Sequence, residues 1–395
     1  MVRTASLFSQ LLELFPRLEF ARVVKRHRGE RYAKGFTCWN QFVAMLFAQL
    51  AQAESLREVC GGLRCCLGKL AHLGVREAPP RSTLAYANAH RPWQVHHDLF
   101  YALLGKVRST CNGRGHRLRF RNRLLSLDSS VIGLCLSLFP WADFNRTKGA
   151  VKLHCLLDHS DYLPSYALVT LATQADVTVA RLLTLAKGSI VVLDRAYRDY
   201  LLWARWCREG VFFVTRLTRN TVYRVVEQRP LPEHRNILAD EIIELTSARA
   251  LRCGFPQHLR RIVVWLPEKE EELVLVTNHL TFGATTIAAI YKERWQIELF
   301  FKALKQNLHI KSFLGTSFNA ICTQIWTALT AMLLLKWLRF RSTFGWSLSN
   351  LTALLRWNLM TYRDLDTWLN GPFQPSAQTG RTQQLSLFAL GQQTT

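Results

Sequence analysis

Six residues, SIVVLD from Ser189 to Asp194, constrain this chain most: a continuous apolar run that stops on an acid. A run with no polar side to offer water reads as a strand buried on both faces. Helical spacing of apolar residues precedes it, in Val177–Ala186, and follows it, in Tyr197–Arg208. Three strand-like runs lie upstream: LLSLDSSVIGL from Leu124, VKLHCLLD from Val151 and SYALVTLA from Ser165. VFFVTRL, from Val211, lies downstream. Strand, strand, strand, helix, strand, helix, strand is the order of a mixed α/β domain.

The rest of the 395 residues divides around that domain. Residues 1–123 have helical periodicity, around Phe42, Met45, Leu46 and Leu50 and again around Leu99, Leu103 and Leu104. Residues 124–215 hold the first part of the α/β core, and 216–282 form a β-rich insertion with VYRVVE, IIEL, RIVVWL and ELVLVTN. A long helix then falls within 283–317, a helical region spans 318–370, and 371–395 is a polar tail expected to be flexible. The N-terminus has Glu13 and Glu19 inside its apolar run and lacks a signal-peptide pattern. Ile321–Leu338 is the most apolar segment. Its Thr323, Gln324, Thr327, Thr330 and Lys336 favour a buried helix over a membrane anchor.

Charge narrows the class of partner. The formal net charge is +23, and residues 1–125 alone carry 21 Lys or Arg against 7 Asp or Glu, a net of +14. Such an excess points to nucleic acid. The runs Lys25, Arg26, Arg28, Arg31 and Arg114, Arg117, Arg119, Arg121, Arg123 suit a phosphate backbone, which is favoured over a solvated helix face or linker. Ten cysteines include no C-x2-C pair, and Cys38, Cys135, Cys155 and Cys207 lie in apolar stretches as small hydrophobes. A reducing cytosol fits.

Tyr291, Arg294, Glu298 and Lys305 are spaced so that, at about 100° per residue, one helix places all four within about 60° of arc. That stripe interrupts a helix otherwise rich in Trp295, Ile297, Leu299, Phe300, Phe301 and Leu304, so its polar groups need partners. Two further acids, Asp128 and Asp194, sit in apolar runs, where burying even a neutral polar group unpaired costs about 2 to 7 kcal/mol. Three carboxylates on two strands and a helix can converge on hard cations, the arrangement that metal-assisted phosphoryl transfer requires. Asp158 and Asp161 read instead as turn residues, Asp176 as a helix cap, and Asp199, on the helix after Asp194, as structural or solvated.

LSLDSS around Asp128, VVLDRAYRD around Asp194 and YKERWQIELFFKALK from Tyr291 to Lys305 together resemble the DDE transposases of bacterial insertion sequences. The Y-x2-R-x3-E-x6-K signature is that of the insertion-sequence-four family. The resemblance implies a ribonuclease-H-like mixed sheet with flanking helices, interrupted by a β-rich insertion, plus an α-helical N-terminal DNA-binding region. It implies Asp128, Asp194 and Glu298 as catalytic ligands of Mg2+, with Mn2+ able to substitute, and Tyr291, Arg294 and Lys305 as holders of transposon-end phosphates. Lys148, Lys152 and His154 match a stretch that accompanies the first aspartate, so they are DNA or active-site contacts or, equally, solvated strand-edge residues. Trp265, in the insertion, either stacks on a flipped base or fills the insertion's core, the second being favoured.

The expected activity is cut-and-paste transposition: binding of the terminal inverted repeats in double-stranded DNA, pairing of two ends by a homodimer, cleavage through a hairpin end, and joining to target DNA. A nuclease that cuts without joining and a non-catalytic DNA-binding derivative are the alternatives. In the tail, Gln384, Leu385, Leu387 and Phe388 of QLSLF resemble a docking peptide for the bacterial sliding clamp.

Overall fold

The computed structural model describes residues 5–66, 68–110, 118–135, 137–145, 148–233, 235–253, 255, 258–310 and 312–374, with only the backbone described at 143–145 and 148. The chain divides into two compact units, residues 1–103 with 329–395, and residues 104–328.

Six helices open the chain: α1 (Leu7–Glu13), α2 (Arg17–Arg26), α3 (Cys38–Ala51), α4 (Leu56–Cys65), α5 (Arg81–His90) and α6 (Gln94–Thr110). Their starts are written in the sequence. Ser6, Thr37 and Ser55 each accept a backbone N–H three residues on, and Glu58 returns a bond to the Glu54 N–H. α3 is the hub of the first unit, with Phe42, Met45 and Leu46 fully buried.

The second unit is built on one ten-stranded sheet. Its strands are β1 (Leu124–Leu134), β2 (Asp143–Asn145), β3 (Lys148–Asp158), β4 (Leu163–Leu171), β5 (Ile190–Leu193), β6 (Phe212–Arg216), β7 (Tyr223–Gln228), β8 (Ile237–Leu245), β9 (Leu259–Leu266) and β10 (Glu271–Thr277). Spatially, β4 and β2 flank β3, followed by β1, β5, β6, β10, β9, β8 and β7. The antiparallel meander β1, β3, β4 beside the parallel pair β5 and β6 gives the ribonuclease-H-like order. The insertion forms no separate sheet: β10 pairs antiparallel with β6, and β9, β8 and β7 extend the same sheet outward.

Between strands lie α7 (Asp176–Leu182), α8 (Tyr200–Glu209) and the short α9 (Ala248–Arg252); α10 (Ala284–Glu293), α11 (Trp295–Asn307) and α12 (Phe318–Arg341) follow the sheet. Asp199 caps α8 by accepting the Leu202 N–H, and Gly210 ends it at φ +69°, a left-handed turn that glycine adopts without strain. Strand alternation sorts the core into two faces. Leu125, Leu127, Val191, Leu193 and Phe213 meet Trp203 and Trp206 of α8, whereas Leu124, Ile190, Val192 and Val214 meet Ile287 and Ile290 of α10. All four residues of β5 are buried because both faces are covered.

α12 is long and apolar enough to cross a membrane by length and composition, yet most of it is buried inside the protein. After it come α13 (Leu348–Asn358) and α14 (Leu365–Asn370), which belong to the first unit. Phe8 donates its N–H to Leu359 O at 2.8 Å, and the Gln10 amide bonds Leu365 N–H and Arg363 O. The helices at the two ends of the chain thus form a single body.

Candidate active site

Parity and register assemble the first half of the site. β1 and β5 run parallel with Leu127 beside Leu193, so the next residues are Asp128, still within β1, and Asp194, just past the end of β5. Both share the parity of Leu124, Ile190 and Val192, which puts them on the face covered by α10. There α11 packs across β1.

The polar stripe spans two helices rather than one. α10 ends at Glu293 and α11 starts at Trp295, with Arg294 between them. Arg294 keeps right-handed helical dihedrals (φ −52°, ψ −32°), and its N–H bonds Tyr291 O, three residues back. One tightened turn therefore changes the pairing while largely keeping the angular order of the side chains.

Arg294 is the link between the acids. Its guanidinium lies 2.6 Å from Glu298 Oε1 and 3.6 Å from Asp128 Oδ2, and it is only 16% exposed. Burial raises the Asp128 carboxyl from 3.8 to about 6. The Ser129 N–H and Arg294 oppose that rise, while the charges of Asp194 and Glu298 add to it. Asp194 and Glu298 thus both act on Asp128. Among the described residues, no three His, Cys, Asp or Glu groups stand close enough to hold an ion as placed, and Glu298 bonds Arg294. The guanidinium supplies the positive charge that this donor set attracts. Three oxygen ligands sharing one field are the chemistry a hard divalent cation takes, so the residues fit such a group.

A cavity of about 410 Å³ opens beside the acids, lined by Asp128, Ser129, Glu298, Lys302, Lys305 and Gln306. Lys305 reaches over β1 and donates to Val131 O at 3.0 Å. Lys302, exposed one turn earlier, joins it; the signature does not include it, although i,i+3 spacing from Lys305 pointed to it. Tyr291 is buried, with the Arg294 and Arg216 guanidinium carbons each 5.8 Å from its ring centroid. Burial pushes its phenol up.

Lys152 and His154 stand elsewhere. His154 pairs with Ser129 and Lys152 with Val131, so both take the opposite parity to Asp128 and lie on the other face of the sheet. Both are buried, His154 fully. Lys152 Nζ lies 3.1 Å from Asp176 Oδ1 and donates to Gln174 O, while His154 Nε2 bonds Thr170 Oγ1 at 2.9 Å. His154 is fully enclosed and Lys152 nearly so, each held by internal partners. Asp176 is the centre of that cluster: it is the first residue of α7 rather than its cap, and it also accepts the Ser129 hydroxyl at 2.8 Å. Ser129 in turn donates its N–H to Asp128 Oδ1, so the cluster holds the strand directly behind the acid. The Lys148 side chain and the QLSLF residues Gln384, Leu385, Leu387 and Phe388 lie outside the described residues.

Trp265, expected in the core of the insertion, is half-buried instead. With Trp295, which is 56% exposed, it lines a cavity of about 640 Å³ that also holds Arg216, Tyr291 and Arg294. Cys135 is likewise exposed rather than buried.

Comparison with known proteins gives this geometry a family. The model of the transposase DDE domain matches residues 119–334, and that of a domain of unknown function matches residues 3–76. A Sinorhizobium fredii protein carrying the transposase name y4zB is 33% identical over 263 residues, 66% of this chain and 71% of that one. A Geobacillus stearothermophilus protein named as the transposase for insertion sequence element IS5377 is 28% identical over 246 residues, 62% and 64% of the two chains. Among solved structures, a piggyBac transposase synaptic complex with hairpin DNA aligns over 93% of this chain and 81% of its own, at TM-score 0.42 and 9% identity. The matched domain takes in all three acids and more than half of the length, and the chain belongs to the DDE transposases of bacterial insertion sequences.

Proposed function

We propose that this transposase binds the terminal inverted repeats of its own element and carries out divalent-metal-dependent cleavage and joining of DNA through Asp128, Asp194 and Glu298. One observation carries the reading: the pairing of Leu127 with Leu193 sets Asp128 beside Asp194 on the face where Arg294 links Asp128 to Glu298. Mg2+ held by the three carboxylates would stabilise both the attacking and the leaving oxygen of a phosphodiester. The chain's own part is positioning. Ser129 fixes the Asp128 carboxylate by its N–H, and α11 carries Glu298 towards β1. Arg294, released from Glu298, offers its two-pronged fork to an end phosphate, with Lys302 and Lys305 as point charges beside it. Trp265 and Trp295 offer apolar faces to a base displaced from the end, as a hairpin intermediate requires. Two copies would pair two ends, and QLSLF would dock the tail on the sliding clamp.

The test is an excision and joining assay on DNA bearing the element's ends, with Mg2+. The wild-type protein cuts and joins; Glu298→Gln loses both by about a thousandfold, of the size expected for removal of a transition-state contact, while end binding persists. Unchanged excision by Glu298→Gln would sink the proposal. Cutting without joining by the wild type would make the protein a nuclease.

A further inference from the structure

Another cavity, of about 530 Å³, shares Arg216 with the one that Trp265 and Trp295 line and lies at the ends of β5 and β6 and along β10, walled also by Arg195, Arg198, Arg219, Thr218 and Asn220. Arg195 directly follows Asp194 in the chain. Arg195, Arg198 and Arg219 are exposed and Arg216 is half-buried, its Nε enclosed without a hydrogen-bond partner among the described residues. Arg198 donates to the Thr218 hydroxyl. None of the four makes an ion pair among the described residues, although Glu271 and Glu272 stand on the same wall. Four guanidinium groups against two carboxylates leave the cleft with excess positive charge, and an anion there relieves the repulsion among them. Each phosphodiester offers a few oxygens to a two-pronged donor, so four forks suit a run of phosphates rather than a single one.

Sheet order assigns the run to one stretch of DNA. The cavity with Lys302 and Lys305 lies at β1, the arginine cleft lies at β5, β6 and β10, and Asp194 leaves β5 between them. A phosphodiester that reacts there joins two DNA segments, of which the element end belongs with Tyr291, Arg294 and Lys305. We propose that the arginine cleft holds the backbone phosphates of the other segment, the DNA outside the element: flanking DNA during cleavage and target DNA during joining. This rests on the reading of the acids as a phosphoryl-transfer site.

The test uses the full chain carrying Arg195→Ala, Arg198→Ala and Arg219→Ala together, with the corresponding Lys variant as control. Fluorescence anisotropy with a duplex lacking the element end is recorded across a salt series. The Ala variant should bind about tenfold more weakly at moderate salt, with a log–log salt slope lower by about 3, and the Lys variant should recover most of both. Melting within 2 °C of wild type, on the order of 0.5–1 kcal/mol for a body of this size, confirms that the fold is kept. With pre-cut ends, the target concentration for half-maximal joining should rise about tenfold if target DNA is held. If flanking DNA is held, cleavage of long-flank ends should fall to the rate of ends trimmed to two flanking nucleotides. Unchanged affinity and slope for the end-free duplex would overturn the proposal. A wild-type protein that neither cuts nor joins would refute the catalytic reading instead, and the binding measurement still decides the cleft.

Discussion

Asp128 carries a charge that the fold disfavours, and Asp128→Asn makes that measurable. Raising a carboxyl from 3.8 to about 6 corresponds to about 3 kcal/mol. Between those values the folded protein binds more protons than the unfolded chain, so stability falls as pH rises through that window, and the whole penalty is present above about pH 6. Asparagine removes the charge and keeps the acceptor for the Ser129 N–H. The Arg294 contact that it gives up, 3.6 Å away, is already counted in that rise. The gain at pH 8 is therefore about 3 kcal/mol, or roughly 6–12 °C in melting temperature for a unit of this size, shrinking towards nothing near pH 4. Differential scanning calorimetry at pH 4, 6 and 8 gives the answer. Added Mg2+ should raise the wild-type melting temperature and leave the variant's unchanged, since ligand binding stabilises only the form that binds it. A variant less stable than wild type at pH 8, or a gain independent of pH, would refute the reasoning.

Arg294→Gln removes the cation that links Asp128 to Glu298, so Mn2+ affinity without DNA should rise roughly fivefold, read from the free-Mn2+ signal in electron paramagnetic resonance, while affinity for end DNA falls. Unchanged or weaker Mn2+ binding would contradict the link. Asp176→Ala leaves Lys152 and His154 enclosed without their carboxylate and should cost about 1–3 kcal/mol in urea unfolding; a loss under about 0.5 kcal/mol would mean the cluster does not hold β1. Asp240 and Arg260 pair on neighbouring strands β8 and β9 at 2.6 Å with both side chains nearly fully buried, so Asp240→Ala should cost about 3–5 kcal/mol. Since β8 and β9 belong to the central sheet, the loss should appear in the unfolding of the whole second unit, and a separate early transition of the insertion would show otherwise.

What the sequence reveals follows from how locally each feature is encoded. β5 is legible because burial on both faces removes every polar residue between Ile190 and Leu193, and the helix starts are legible because Ser6, Thr37 and Ser55 bond within their own turn. The break at Arg294 is hidden, since its dihedrals stay helical and the spacing of the stripe survives it. Pairing is not local. Nothing in the β-rich insertion announces that Val276 will lie beside Thr215, so the insertion reads as separate when it continues the sheet. The face that Lys152 and His154 take is hidden for the same reason: one residue of register decides it, and only the pairing of Ser129 with His154 settles it. Trp265 shows the limit of composition, because an aromatic on a strand serves a core or a cavity wall equally well. The arginine cleft draws on three segments far apart in the chain, and none of them alone is unusual.

Iron-mediated backbone cleavage tests most directly whether the three acids form one metal site. Fe2+ with ascorbate and peroxide cuts a chain next to a bound ion. Fragments should end in three segments, near residues 128, 194 and 298, disappear when Mg2+ is in excess, and be lost together in Asp194→Asn. Cuts confined to one segment, or cuts that survive both Mg2+ and Asp194→Asn, would contradict the account.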